Sequence, residues 1–510
     1  MEINEEIRIK RFNEMLSTRF FFAPTAEIYP NNFSGFYDFG PIGNMFRLNI
    51  INFWRNEFVR KNNFYEMSGC IILPKDVFVA SGHLENFNDP IATCNKCSQD
   101  FRIDKIIFEK IKKELPEGLE ASEYEKIIKD NKIKCSCGGE FINFRKFNMM
   151  APLNIGATSG NIGYLRGETC QSIFVNFKRI YNASRDCLPI GISQYGTVYR
   201  NEISPRNGLL RTREFEQIET ELFFDADKIN EVEIPKDKLN YKIRFKLLKD
   251  NLEKDYSLEE IDKQKITCGK LFTYYLYVVQ DFMEKLGIKH ENLRFREVPS
   301  EDRAFYSKQT FDFEIKIAGS FEGGWLECFS FNYRTDHDLK GHSKISKKDL
   351  SINEEGKIIW PHVLELESMG VGRIFYTLLD NNFKVIEEKE GLRNILSLPP
   401  RLSPYFVAIL PLMKKDGLYE KAEELTRQLK DKTNNLFEIA FDEKGSIGKR
   451  YARLDEIGTN YCLTIDYDTL KDNSVTIRDR DSFSQKRVKI EELDKLLLDL
   501  YFEKKRFEEI

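Results

Sequence analysis

The chain has 510 residues, 41% hydrophobic and 31% charged, and its 78 basic against 82 acidic side chains leave a net charge of −4. This predicts a soluble globular protein of about three domains with a real core, and a balance that by itself neither advertises nor excludes a nucleic-acid partner. There is no apolar run of about 18 residues for a membrane span, no apolar centre in MEINEEIRIKRFNEML for a signal peptide, and too few cysteines, at ten, for a disulfide scaffold; the expectation is cytosolic.

Gly40-Pro41 opens the first clear element, since proline favours the first helical position. Ile42, Met45, Phe46, Ile50, Phe53, Trp54 and Phe58 then recur at helical spacing as one apolar stripe, which by itself reads as core packing. A strand over 69–73, ending at Pro74, follows.

Residues 93–150 read as an insertion, with Cys94 and Cys97 as one close pair, Cys135 and Cys137 as another, and a charged helical stretch between them. Four thiolates in two pairs suit tetrahedral zinc, and Gly138-Gly139 lets the chain turn beneath a metal knuckle. The second pair is CxC and not CxxC, so two pairs of free thiols in a loop are the alternative. Any zinc held here is structural, because four cysteines leave no open position.

The segment GYLRGETCQSIFVNFK (163–178) places Arg166 and Glu168 on one side of an extended stretch; a surface glutamate is the bland alternative. RNEISPRNGLLRTREFEQIETELFF (200–224) reads as a hairpin turning at Ser204-Pro205-Arg206-Asn207-Gly208. Alternation puts Arg200 with Glu202 on one strand face, and Arg211, Arg213, Phe215, Gln217 and Glu219 on one face of the return. That set suits a nucleoside triphosphate: guanidinium forks for phosphates, a ring for the base and carboxylates for amines. A solvated, ion-paired hairpin is the other reading, and it leaves the phenylalanine unexplained.

Residues 225–310 are rich in Lys and Glu and show no catalytic pattern, so they read as a solvated helical insertion. WLECFSFNYR (325–334) alternates as a strand with Glu327 on the face of Phe329 and Phe331. A carboxylate among aromatics is costly unless it is paired or holds a metal. VLELESMGVGRIFYTLLD (363–380) reads as a strand, a glycine turn and a helix, with Arg373 in the first turn, where backbone N–H groups favour anions. Pro399-Pro400 marks a domain boundary. Beyond it, strands at 406–412, 462–470 and 475–480 alternate with helices at 418–430 and from Lys449, as in a small α/β domain.

Three of these segments together resemble the signature motifs of the class II aminoacyl-tRNA synthetases. Residues 200–215 are similar to the second motif, Gly370–Arg373 to the third, and the helix after Pro41 with its strand to the first, which makes the dimer interface. YDFGPIG, SPRNGLLRTREFEQIE and RTDHDL resemble the wording of the dimeric glycyl-tRNA synthetases of archaeal and eukaryotic type. GSIGKRYARLDEIG with TIRDRDS resembles the anticodon-binding domain shared by the glycyl, threonyl, prolyl and histidyl enzymes. Gly167 stands where that family has proline and Ser172 where it has glycine. The proline usual before the third motif is missing, which leaves Glu365 and Glu367 both open for the glutamate's role.

The resemblance implies an α/β (α+β) fold: an antiparallel-sheet catalytic domain over 1–399 with the two insertions, then an anticodon-binding domain over 400–510. It implies a cytoplasmic homodimer that uses ATP and magnesium to attach glycine to tRNA(Gly) through glycyl-adenylate. Arg200, Glu202 and Arg373 are the catalytic set it implies. Arg200 would hold the α-phosphate, Glu202 the adenine end and Phe215 the base, and Arg373 with Arg211 or Arg213 would hold the far phosphates. Asn201, Leu210, Thr212, Glu214, Glu327, Cys328, Gly370, Val371 and Gly372 complete the ATP site, with Glu327 for magnesium. Glycine would lie against Glu168, Phe215, Glu216, Gln217, Ile218, Glu219 and Ser368.

Overall fold

The structure is a computed structural model. It describes residues 4–510 except 113, 114, 116–118, 158, 159, 186, 187, 206, 251, 305, 319–323, 355, 389 and 390. Arg206, expected in the turn, therefore lies outside the described residues.

Proline at the first position starts a helix over Pro41–Trp54, continued by a π-helical stretch over Arg55–Arg60. Its stripe of Phe46, Ile50, Phe53 and Trp54 is buried in the protein's own core. Gly43 allows this packing, since a Cβ there would lie 1.7 Å from the Phe21 carbonyl oxygen. The extended segment that follows divides into two short strands, Tyr65–Met67 and Ile72–Pro74. The first joins the main sheet and the second joins a separate three-stranded sheet with Ile162–Leu165 and Ala151–Asn154.

The main sheet has nine strands and is mostly antiparallel. Its centre is formed by Ile190–Tyr199, Glu214–Phe224, His362–Gly370, Trp325–Thr335 and Gln309–Lys316, each antiparallel to the next. One side of this sheet packs on the helices Pro41–Trp54, Lys270–Lys285 and Val371–Asn382, and the other side carries the site.

The 225–310 segment is not a solvated insertion. Lys242–Lys246, Glu253–Ser257 and Leu293–Glu297 extend the main sheet, and the helix Lys270–Lys285 buries ten residues, Phe272, Leu276 and Met283 among them. The charged composition misled because Lys and Glu lie on the outward positions of elements whose inward positions are apolar. By contrast, the cysteine-bearing insertion has its own small core around Ile103, Ile107, Tyr124, Ile128 and Phe141.

Beyond the Pro399-Pro400 turn, a five-stranded mixed sheet centred on Val407–Pro411 and Tyr461–Ile465 is flanked by the helices Leu418–Lys432, Ile447–Glu456 and Leu493–Tyr501. The joint is packed. Leu398 and Leu402 lie in the larger core, and Arg480 and Asn460 of the second domain both donate to the Leu398 carbonyl at 3.1 Å.

Candidate active site

The central strands, the loop 200–213 and the start of the helix Val371–Asn382 enclose a cavity of about 290 Å³, near the lower end of small-ligand sites. Arg200, Glu202, Leu210, Arg211, Thr212, Phe215, Glu327, Cys328, Gly370, Gly372 and Arg373 of the expected ATP set line it, with Glu168, Gln217 and Ser368 of the glycine set.

The expected hairpin is shorter than its sequence suggests. Its strands end at Tyr199 and resume at Glu214, so Arg200, Glu202, Arg211 and Arg213 lie in the connecting loop and not on strand faces. The loop separates the two arginines that alternation would have put together. Arg211 faces the cavity, bound through Nη2 to the Glu202 carboxylate at 2.6 Å. Arg213 turns away, donating to the carbonyls of Glu202 and Ser34, both at 2.9 Å. Asn201, Glu214 and Val371 also lie off the cavity lining: the Asn201 amide is bound to Met149 O, Glu214 is exposed and Val371 is buried in the core.

Within the strand Glu214–Phe224 alternation holds, and it removes two residues from the glycine set. Glu216 points to the opposite face, held by Arg47 Nη1 at 2.6 Å, and Ile218 is buried in the core. Arg166 likewise does not share the side of Glu168; buried, it donates to the carbonyls of Thr197 and Gly69. The open pair is also separated: Glu365 lines the cavity, whereas Glu367 faces the helix side, accepting from Trp54 Nε1 at 3.1 Å and Thr220 Oγ1 at 2.6 Å.

Glu327 is not among aromatics either. A β-bulge at Phe313/Glu314 breaks the alternation, so Phe329 and Phe331 enter the core while Glu327 is half-exposed at the cavity. Arg373, in the first turn of its helix, donates to Leu210 O and Glu327 O at 3.2 and 2.8 Å. Gly372 lets that turn pack closely on the loop, since a Cβ there would come 3.2 Å from Leu209 O.

The acidic end is set by charge. Burial opposes ionisation of Glu168, but His83 at 3.1 Å, with Arg334 adding to it, holds this carboxyl well below the usual range. Gln171 Nε2 and Cys170 Sγ donate to the same carboxylate at 2.8 and 2.9 Å. Glu219 lies behind it, bonded by Thr169 Oγ1 at 2.5 Å; burial, then Glu168 and Glu365, push it up to about 8. Buried Arg334 pairs with Glu365 at 2.8 Å and with Asp338. Burial pushes the Cys328 thiol up to about 12, so it is no nucleophile at neutral pH.

Several lining residues were not found by reading the sequence: Phe87, Tyr306, Ser330 and Asn332, besides His83 behind Glu168. Period-two counting from Cys328 could have found Ser330 and Asn332. Phe87 and His83 carry no sequence signal, because they reach the site from a distant segment.

Four thiols meet elsewhere. Cys94, Cys97, Cys135 and Cys137 bring their sulfurs within 4.8 Å of one another, a spacing that fits four ligands around one ion. No disulfide occurs among the described residues.

An antiparallel sheet that bears an arginine-rich loop, with an arginine at the start of the next helix, defines the class II aminoacyl-tRNA synthetase core. A family model described as "tRNA synthetase class II core domain (G, H, P, S and T)" matches residues 160–382, and "Anticodon binding domain" matches 406–500. The chain is 37% identical to the glycine--tRNA ligase of Pyrococcus horikoshii, over 96% of this chain and 98% of that one. It is 38% identical to that of Thermococcus gammatolerans and 33% to that of Methanothrix thermoacetophila, over 96% and 97% of this chain and 98% and 97% of theirs. The chain belongs to the glycine--tRNA ligase family. Among solved structures, a threonyl-tRNA synthetase chain from Cryptosporidium parvum shares the fold, with a TM-score of 0.58 at 17% identity over 96% of this chain and 98% of that one. Giardia lamblia prolyl-tRNA synthetase in complex with prolyl-adenylate gives 0.58 at 13%, over 98% and 80%.

Proposed function

We propose that this protein joins glycine to tRNA(Gly) in the cytoplasm, through glycyl-adenylate formed from glycine and ATP. The observation that carries this reading is one cavity lined by Arg200, Arg211 and Arg373 together with the half-buried Glu168, whose carboxyl His83 holds below its usual range. In the first step a glycine carboxylate oxygen attacks the α-phosphorus of ATP, and pyrophosphate leaves with the bond electrons. In the second, the terminal ribose hydroxyl of the tRNA attacks the glycyl carbonyl and AMP leaves. Neither step needs a side-chain nucleophile, so catalysis is positioning and charge neutralisation. Arg200 holds the α-phosphate, Phe215 stacks on adenine, and Arg211 and Arg373 receive the far phosphates. Glu168 binds the glycine ammonium, with Gln217 and Ser368 beside it. Larger amino acids are excluded for lack of room, so no editing step is required.

The half-exposed carboxylate of Glu327 suits magnesium, which neutralises phosphate charge when bound. The four-thiol cluster suits a structural zinc. Pyrophosphate exchange across the twenty amino acids tests the reaction: glycine alone should support it, and exchange driven by proline, threonine or serine with glycine inert would reject the assignment.

The same reading makes the protein a homodimer. The helix Pro41–Trp54 spends its apolar stripe on its own core, so the face for a partner is the neighbouring three-stranded sheet, where Ile72, Ile155 and Ile162 are exposed. Ile72→Asp with Ile162→Asp should convert a dimer into monomers in sedimentation velocity. An unmodified protein that sediments as a fully active monomer would reject the assembly.

A further inference from the structure

The cysteine-bearing insertion touches the ATP site at its root. The guanidinium carbon of Arg200 lies 5.2 Å from the ring centre of Phe87 and 5.5 Å from that of Phe215, so the cation is within cation–π reach of two aromatic rings. Arg200 Nε also donates to Gly167 O at 2.9 Å, and a Cβ on Gly167 would sit 3.3 Å from the Phe87 ring. The bare α-carbon thus lets the Phe87 ring come close to Gly167.

Phe87 is fixed from the insertion. Its carbonyl accepts the Met149 amide at 3.1 Å, and the Met149 carbonyl accepts the amide of Asn201, next to Arg200, at 2.9 Å. These two residues flank the paired strands Asn88–Cys94 and Phe141–Asn148, which carry the fold out to the thiols. Beside the root, Asp89 is buried and paired with Arg102 at 3.0 Å. The far end of the first strand is Cys94, about 20 Å from Asn88 at ordinary strand rise. A domain with so small a core usually needs a staple, and metal binding then supplies its folding energy.

We propose that Phe87 is a positioning residue for Arg200, and that a zinc ion on Cys94, Cys97, Cys135 and Cys137 keeps it in place by holding the insertion folded. This rests on the reading that Arg200 faces ATP. Occupancy of a distant structural metal then tunes the use of ATP, with no ligand of that metal near the reacting atoms.

The test uses the full-length protein, Phe87→Ala, Phe87→Tyr and the double variant Cys97→Ser/Cys135→Ser. Zinc is measured by atomic absorption, KM values for ATP and glycine by pyrophosphate exchange, and protection of the Met149 amide by hydrogen exchange. Phe87→Ala should keep stoichiometric zinc and raise the ATP KM about tenfold, with a much smaller rise for glycine. Phe87→Tyr, which keeps the ring, should restore it. The cysteine variant should lose zinc, show the same rise for ATP and exchange the Met149 amide faster. An unchanged ATP KM in Phe87→Ala, or equal losses toward both substrates, overturns the positioning role. A zinc-free unmodified protein, or a zinc-free variant with normal ATP KM and Met149 still protected, overturns the metal coupling. Lack of glycine-dependent exchange in the unmodified enzyme would reject the ATP reading itself and the proposal with it.

Discussion

Arg200→Ala and Arg373→Ala should each lower ATP–pyrophosphate exchange by at least about a hundredfold, the scale of losing one preorganised charge-stabilising donor. The two arginines are prepared in different ways. Arg200 is held by Gly167 O and two aromatic rings, none of which neutralises it, so its charge stays available for a phosphate. Arg373 is held by two backbone carbonyls at the start of a helix, where the exposed N–H groups add to the positive potential. Arg211 is bonded directly to the Glu202 carboxylate at 2.6 Å, whereas the Glu327 carboxylate lies 4.0 Å from Arg373, so Arg211→Ala should cost less than either. Lysine should rescue poorly at 200, since a compact ammonium cannot reproduce the contacts of the planar guanidinium with both Phe87 and Phe215. Near-normal exchange in either alanine variant would take that arginine out of the ATP site.

Glu168→Gln should raise the KM for glycine about ten- to a hundredfold, with little change for ATP. The shape of the side chain is kept while one charge-assisted hydrogen bond to the ammonium, worth roughly 1.5–3 kcal/mol, is lost. Glu219→Gln should cost much less at neutral pH. Glu219 is pushed up to about 8 by burial and by the carboxylates beside it, so below that pH it is already neutral in the empty site. Glutamine then replaces a group that carried no charge, whereas at Glu168 it removes one that His83 keeps ionised. Equal effects of the two substitutions on the glycine KM at pH 7 would refute this division of labour.

Local pattern was enough for much of the molecule. Proline at a helix start, the apolar stripe behind it, the alternation through Phe215, Gln217 and Glu219, and the glycine turn before Arg373 each depend on spacing over a few residues. So does the alternation of strands and helices after Pro400. Most residues that line the cavity were legible for the same reason, because Arg200, Glu202 and Phe215 lie in one short segment and Arg373 follows its own glycine turn.

What failed depended on where strands stop and bulge. The early end at Tyr199 sent Arg213 away from Arg211, and the bulge opposite Glu314 turned Glu327 out of the aromatic core. Neither event changes composition or period within its own segment. The 225–310 region looked solvated because its charges are on the surface, and only pairing with distant strands shows that its apolar positions complete the main sheet.

The sequence by itself determined the elements, the family and most side chains of the site, since these follow from near-neighbour periodicity and motif spacing. Tertiary structure alone decided that Glu365 and not Glu367 faces the cavity, that His83 lies against the Glu168 carboxylate, and that Phe87 lies against Arg200. Each of these is a contact between segments far apart in the chain, and such contacts are set by strand register and packing, which no local spacing encodes.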